Sequence, residues 1–300
     1  MNDEKGVQCI LLQYNIDAAR REQQDSKPES ERIPRLFFQN RVCGIVDTIK
    51  SSCANIATLQ QLRNLESSPV KINHFIDMVT RECNLTPIGP FYYSKEAISL
   101  ALCTFYDREL FYVQQVNLIH LHKIPDKLCL CVLFECIKNG TKFIIANTHF
   151  DLPEEKKWEE VTTLFPALLS MSENLNAPLI VNGDFNLFDD LEGKSQRLFI
   201  KEKYNCIDIY ERLYLARDSN ILLSGTFRGF PEVDKFHQPY EKMSKLDHGF
   251  LIHGDKARMT MRFSEGHSYS VNLTEENVKS GNLPSDHLPC VCEFILLENK

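Results

Sequence analysis

No apolar run in this 300-residue sequence approaches the length of a membrane span. The opening residues, Met1-Asn2-Asp3-Glu4-Lys5-Gly6, are charged and lead into no apolar stretch of signal-peptide type. These absences set the expectation of an intracellular, cytoplasmic chain, with the nucleus also allowed. The eleven cysteines lack the dense, short-spaced framework of a small secreted domain, and the usual zinc-ligand spacing is missing. Reduced structural thiols are therefore expected. Cys129 with Cys131, and Cys290 with Cys292, would each put two sulfurs on one strand face. There is no surplus of positive charge either. With 34 Lys and Arg against 41 Asp and Glu, the net charge of −7 excludes a broad electrostatic footprint for nucleic acid. It leaves open an enzyme that receives phosphate at a local cleft through a metal ion and a few polar groups. No glycine-rich phosphate loop and no dinucleotide fingerprint is present. No repeat, low-complexity tract or linker divides the sequence, so one domain with a core over about residues 7–298 is the expectation.

What is present is ordinary globular material, 43% hydrophobic and 25% charged, in a chain long enough to bury a large core. Cys9 to Ile16 reads as a buried strand, and residues 17–34 as a long polar surface loop with Pro28 and Pro34. Val42, Ile45, Val46, Ile49 and Cys53 recur at helical spacing, a strand follows over Asn55 to Gln60, and Ile72, Phe75, Ile76, Val79 and Cys83 mark a second helix. The middle is strand-rich: Ile98 to Phe105, Phe111 to Ile119, Leu128 to Ile137 and Lys142 to Thr148, with Asn139-Gly140 a strong hairpin signal. A third helix carries Trp158, Val161, Phe165 and Leu168. Further strands are predicted over Pro178 to Asn182, Leu222 to Phe227, Leu246 to His253 and Cys290 to Leu297. Hairpin-paired strands mixed with helices predict two sheets packed face to face with helices outside.

Polar residues gather at the ends of these predicted strands. They are Tyr14-Asn15-Ile16-Asp17, Leu59-Gln60-Gln61, Asn147-Thr148-His149, Asn182-Gly183-Asp184-Phe185-Asn186, Leu246-Asp247-His248 and Ser285-Asp286-His287-Leu288-Pro289. One such group is what a turn needs, because Asn and Asp favour turns. Six groups in one strand-rich chain point to a common cleft. The residue types suit phosphoryl chemistry: hard cations prefer carboxylate and amide oxygens, an Asp or His can activate water, and Asn can donate to developing charge. Gly183 fits a strand-end turn that needs positive φ.

Gly183-Asp184-Phe185-Asn186, followed about a hundred residues later by Ser285-Asp286-His287-Leu288-Pro289, resembles the paired signature of the endonuclease/exonuclease/phosphatase (DNase I-like) superfamily. Tyr14-Asn15-Ile16-Asp17, Leu59-Gln60-Gln61, Asn147-Thr148-His149, and Gly225-Thr226-Phe227 before Leu246-Asp247 stand in the same order as in that family, from about Cys9 to Leu297. The resemblance implies a four-layer α/β sandwich with two mixed β-sheets flanked by helices. It also implies hydrolysis of phosphoester bonds with Mg²⁺ or Mn²⁺. By position, Asp184 matches the residue that orients or activates the attacking water, and Asn186 its phosphate-contacting neighbour. His287 matches the catalytic histidine, Asp247 the acid that orients its imidazole, and His149 a phosphate-binding histidine. Asn15, Asp17 and Asp286 match residues at the metal and phosphate site.

Gln61 departs from the pattern. The family has Leu-Gln-Glu there, and that glutamate is its principal metal ligand; Gln61 keeps an oxygen of similar reach and loses the charge. Two readings follow. One is a nuclease- or phosphatase-type hydrolase with a weakened metal site; the other is a catalytically silent member that acts as a binding module. The opening motif resembles abasic-site endonucleases and tyrosyl-DNA phosphodiesterases, whereas Gly-Asp-Phe-Asn and Ser-Asp-His-Leu-Pro are closer to deadenylase-like and bacterial members. The Trp-Cys-Asp-Arg signature of inositol polyphosphate phosphatases is missing. Phe91, Tyr92, Tyr93, Phe105 and Tyr106 are either base-stacking residues or sheet core. Nucleic acid or a nucleotide is the favoured substrate class.

Overall fold

The computed structural model describes residues 6–17, 28, 30, 33, 37–63, 72–93, 100–122, 127–188, 190–215, 221–230, 238–252, 261–269, 274–280 and 283–297. In chain order these form β1 (Gly6–Asn15), α1 (Phe38–Ser51), β2 (Ile56–Arg63), α2 (Ile72–Cys83), β3 (Thr86–Tyr93), β4 (Leu100–Tyr106), β5 (Phe111–His120), β6 (Leu128–Cys136) and β7 (Lys142–His149). Then come α3 (Glu154–Leu175), β8 (Leu179–Asp184), α4 (Leu191–Lys203), β9 (Ile207–Asp208), β10 (Arg212–Tyr214) and β11 (Leu222–Leu223). The last are β12 (Asp247–Ile252), β13 (Met261–Tyr269), α5 (Glu275–Ser280) and β14 (Cys290–Leu297). One sheet has eight strands in the order β11-β10-β13-β14-β1-β2-β4-β3; the other has six, β5-β6-β7-β8-β12-β9. Both are mixed. β1 runs parallel to β2 and antiparallel to β14, and β8 runs parallel to β7 and antiparallel to β12.

Period-two alternation along these strands makes the layers. In β1, Cys9 and Leu11 join Phe134, Phe143, Ile145, Ile180 and Phe294 in a core shared by both sheets. Leu12 and Tyr14, on the opposite face, pack with Val42, Ile45 and Ile49 of α1 and Phe75 and Val79 of α2. On the far side, Cys129, Ile144, Val181 and Phe250 pack against Val161, Phe165 and Leu168 of α3 and Ile200 of α4. Three apolar interlayers separate four layers, helix, sheet, sheet, helix, as the motifs imply. The Sγ atoms of Cys129 and Cys131 are 3.8 Å apart on one face of β6. Among the described residues no helix is long and apolar enough to cross a membrane.

Some elements depart from the sequence reading. Most of the loop expected over 17–34 lies outside the described residues. α1 stops at Ser51, and Cys53 is exposed beyond it. The strand expected over 222–227 reduces to Leu222–Leu223 and a bridge at Phe227, because the chain turns away to reach His287. β3, with Pro87 and Pro90, has no counterpart in the sequence reading; it sits at the edge of its sheet, where a missing N–H is tolerated. Only Gly193, Gln196 and Ile200 of α4 are buried, too weak an apolar stripe to read, and its signal is the Asp190 cap accepting from the Gly193 N–H at 2.8 Å.

Candidate active site

At one end of the sandwich the inward-facing positions turn from apolar to polar, strand by strand. β1 runs Leu11, Gln13, Asn15; β7 runs Ile145, Asn147, His149; β8 runs Ile180, Asn182, Asp184; β12 brings Asp247 beside Asp184. Gly183 allows this convergence. Its φ is +155°, and a Cβ there would stand 1.9 Å from the Thr148 carbonyl oxygen of β7. It lies within β8 rather than in the turn after it, so close approach as well as φ requires glycine.

Asp184 is the hub. Its Oδ2 accepts from Asn15 Nδ2 at 2.9 Å and lies 3.6 Å from both His149 Nε2 and His287 Nε2. Its Oδ1 accepts the Asn186 backbone N–H at 2.9 Å. Burial pushes the carboxyl up to about 6, opposed by His287 and reinforced by Asp247. His287 hydrogen-bonds Asp247 Oδ2 through Nδ1 at 2.8 Å, and its ring packs on Phe227. Burial alone would lower its pKa, but Asp247 and then Asp184 overcome that and raise it to about 10. These directions favour a charged His287 ring facing Asp184, with Asp247 on its other nitrogen. Asp247 Oδ1 accepts from Gln13 Nε2 at 2.7 Å, and its backbone N–H donates to the Thr226 hydroxyl at 3.1 Å.

The other expected site residues lie around this hub. Asn15 accepts the Asp17 N–H on Oδ1 at 3.1 Å, and Asp17 has φ 42°. Asn186 gives its side-chain nitrogen to the Phe150 carbonyl at 2.8 Å, so its direct structural role is to hold Asp184 through its backbone. The Asp286 carbonyl accepts from the Arg228 and Gly229 amides, and its carboxylate lies near enough to raise His287. Gln61 is half-buried in a bulge of β2 with φ 57°.

Residues without an assigned role in the sequence reading support the site from below. Gln13 Nε2 also donates to Gln60 Oε1 at 2.9 Å, and Gln60 Nε2 donates to Asn147 Oδ1 at 2.8 Å. This belt of amides crosses from one sheet to the other. Its sequence signal was parity: Gln13 and Asn147 each stand two positions before a site residue, on the same strand face. The Tyr93 hydroxyl is 2.7 Å from His149 Nδ1, and Lys127 Nζ donates to the His149 carbonyl at 3.2 Å. Tyr93 and Phe105 are buried in the core, which removes them as base-stacking residues. Tyr106 packs on Phe134, and Tyr92 is exposed.

Among the described residues, two groups of acids and histidine converge closely enough to suggest a cation. In the first, Asp184, Asp247 and His287, the imidazole lies between the two acids, 2.8 Å from Asp247 Oδ2 and 3.6 Å from Asp184 Oδ2. In the second, His122 Nε2 lies 3.4 Å from Asp151 Oδ2 and 3.1 Å from Glu160 Oε1. Lys127 and Lys156 already stand 3.2 and 3.3 Å from the Asp151 carboxylate and hold its pKa down against burial. That second group is an ion network that anchors Lys127.

No family model matches the chain, and no curated protein matches it. Solved structures do. An endonuclease/exonuclease/phosphatase from Bacteroides vulgatus superposes with a TM-score of 0.69 at 19% identity, over 97% of this chain and 100% of that one. A mannosyl-6-phosphatase from Bacteroides thetaiotaomicron gives 0.64 at 16% identity, covering 95% and 99%. ANGEL2, a 2',3'-cyclic phosphatase in complex with adenosine-2',3'-vanadate, gives 0.66 at 15% identity, covering 97% and 96%. By these superpositions, and by the layers and motifs described above, the chain has the endonuclease/exonuclease/phosphatase fold.

Proposed function

We propose that this chain is a divalent-metal-dependent phosphoesterase of nuclease or phosphatase type, acting on a nucleic acid or nucleotide. The observation that carries the reading is the buried Asp184–His287–Asp247 unit, with Asn15 and His149 facing the same carboxylate. Asp184 accepts a proton from, or aligns, the attacking water. The His287 imidazolium holds and protonates phosphoryl oxygen, and Asp247 fixes its ring. His149 and Asn15 donate to the phosphoryl group, and Asn186 keeps Asp184 in place. The solved neighbour that holds an adenosine vanadate favours a nucleotide substrate.

The donor chemistry fits a hard cation. Asp184 is 1% exposed, with its pKa raised by burial, so a nearby cation would relieve it. Asn15, Asp17, Gln61 and Asp286 are the residues proposed to hold Mg²⁺ or Mn²⁺ beside it. Lewis-acid polarisation of a phosphoryl oxygen is the chemistry such an ion supplies. The test is turnover of a generic phosphodiester, oligonucleotides, cyclic nucleotides and sugar phosphates with each metal, then with EDTA. Turnover that EDTA abolishes is expected; no turnover on the whole panel with Mg²⁺, Mn²⁺ or Co²⁺ would leave the binding-module reading standing.

Gln61 sets the strength of that metal site. Mg²⁺ sheds its water reluctantly and relies on carboxylates to offset the cost, and Gln61 removes one. Gln61→Glu is expected to tighten Mn²⁺ binding by about tenfold or more, equivalent to roughly 1.4 kcal/mol. Calorimetric titration of both proteins decides this, and equal affinities would remove Gln61 from the metal site.

A further inference from the structure

We propose that Tyr93 is a positioning residue that fixes His149 in the tautomer with its proton on Nε2, so that this imidazole meets the phosphoryl group as a neutral hydrogen-bond donor. The role in turnover rests on the phosphoesterase reading; the tautomer does not. Tyr93 ends β3, is 2% exposed, and places its hydroxyl 2.7 Å from His149 Nδ1 with the rings edge to face. On the other side of the imidazole, Nε2 lies 3.6 Å from Asp184 Oδ2.

A neutral imidazole carries one N–H. Were it on Nδ1, Nε2 would turn a lone pair toward a carboxylate, which is repulsive. With the proton on Nε2, the N–H faces Asp184 and the Nδ1 lone pair accepts the Tyr93 O–H. The hydroxyl has its own reason to donate. Burial and then the nearby Asp184 charge hold the hydroxyl's pKa well above the usual tyrosine range, so it keeps its proton and can give it in a hydrogen bond to Nδ1. Lys127 completes the arrangement. Its ammonium lies 5.1 Å from the centre of the Tyr93 ring and donates to the His149 and Phe150 carbonyls, and Asp151 holds it at 3.2 Å. Burial, then Lys127 and His287, disfavour a second proton on His149.

The two histidines thus carry opposite partners. Asp247 accepts from His287 Nδ1–H, so His287 has Nε2 free to exchange a proton. Tyr93 donates to His149 Nδ1, so His149 Nε2 always holds a proton and has no lone pair to give a metal ion.

The test uses the full chain labelled with ¹⁵N in its imidazoles, with long-range ¹H–¹⁵N correlation spectra and His149 assigned by its loss in His149→Asn. The wild type is expected to show an unprotonated Nδ1 and a protonated Nε2 at His149. Tyr93→Phe, which removes one oxygen, is expected to move His149 toward the other tautomer and leave His287 unchanged. On a phosphodiester, Tyr93→Phe is expected to lower kcat by about tenfold to a hundredfold, and by no further factor when added to His149→Asn. A protonated Nδ1 in the wild type, or a spectrum indifferent to Tyr93→Phe, would overturn the proposal. Because the spectrum needs no turnover, an inactive protein with the expected tautomer would count against the phosphoesterase reading alone.

Discussion

His287→Ala is expected to lower kcat by about a thousandfold, and Asp184→Asn by a similar factor. Their side chains lie 3.6 Å apart with nothing charged between them, and Asp247 holds the imidazole from behind. Each depends on the other: Asp184 helps keep His287 protonated, and His287 helps keep Asp184 ionised. The double variant should therefore lose far less than the product of the two single losses. Steady-state kinetics on all three proteins, with folding checked by circular dichroism, decides the matter. Near-wild-type kcat in either single variant would remove that residue from catalysis. The pH profile has a definite sign. Acid below about 6 protonates Asp184 and removes its acceptor, and base above about 10 strips the proton from His287, so activity should fall on both sides. For stability, the His287 pKa is raised on folding. Its contribution is complete below the unfolded value of about 6.5 and is lost as pH rises through about 10.

Gly183→Ala is expected to destabilise the protein by about 3 kcal/mol and to inactivate it. A methyl group at this position meets the Thr148 carbonyl oxygen at 1.9 Å and carbon at 2.8 Å, both backbone atoms of the neighbouring strand. Neither can yield as a flexible side chain would. Relief requires β7 and β8 to part where their register pairs His149 with Asp184. The φ of +155° adds strain of its own. Thermal unfolding should show a fall of roughly 6 °C or more. An unchanged midpoint would mean that the two strands separate at no cost.

The residues that sequence reasoning placed well are those whose signal is local. The β14 bounds, Cys290 to Leu297, emerge from one apolar run, and Asn139-Gly140 does turn β6 into β7. Asp184, His287 and Asp247 were visible as strand-end motifs, and packing brings them to one point. What stayed hidden is relational. Nothing local marks Tyr93, in a proline-bearing edge strand, as the partner of a histidine 56 positions away. Nothing local marks Lys157 and Glu160 as buried, since on an isolated helix they read as solvent-facing; Lys157 is instead held by the Asn186 carbonyl and Glu160 by His122 and the Asp151 amide. Gln60 and Asn147 stood in strand-end motifs with no role of their own, and Gln13 carried no reading. They are the hydrogen-bonded floor under the site.

The pairing of β1 with β14 has a consequence for how activity arises. Asn15 meets His287 across 272 residues and Gln13 meets Asp247 across 234, so the site is built from contacts of very high sequence separation. Such closures are slow and come late in folding. A chain growing on the ribosome can form the β5–β6–β7 hairpins and dock α3 early, since these are local. It cannot place His287 until the strand that follows it has docked on β1. Under the proposed function, an unfinished or truncated chain would be inert toward phosphoesters, and competence would appear in one late step together with the finished sandwich.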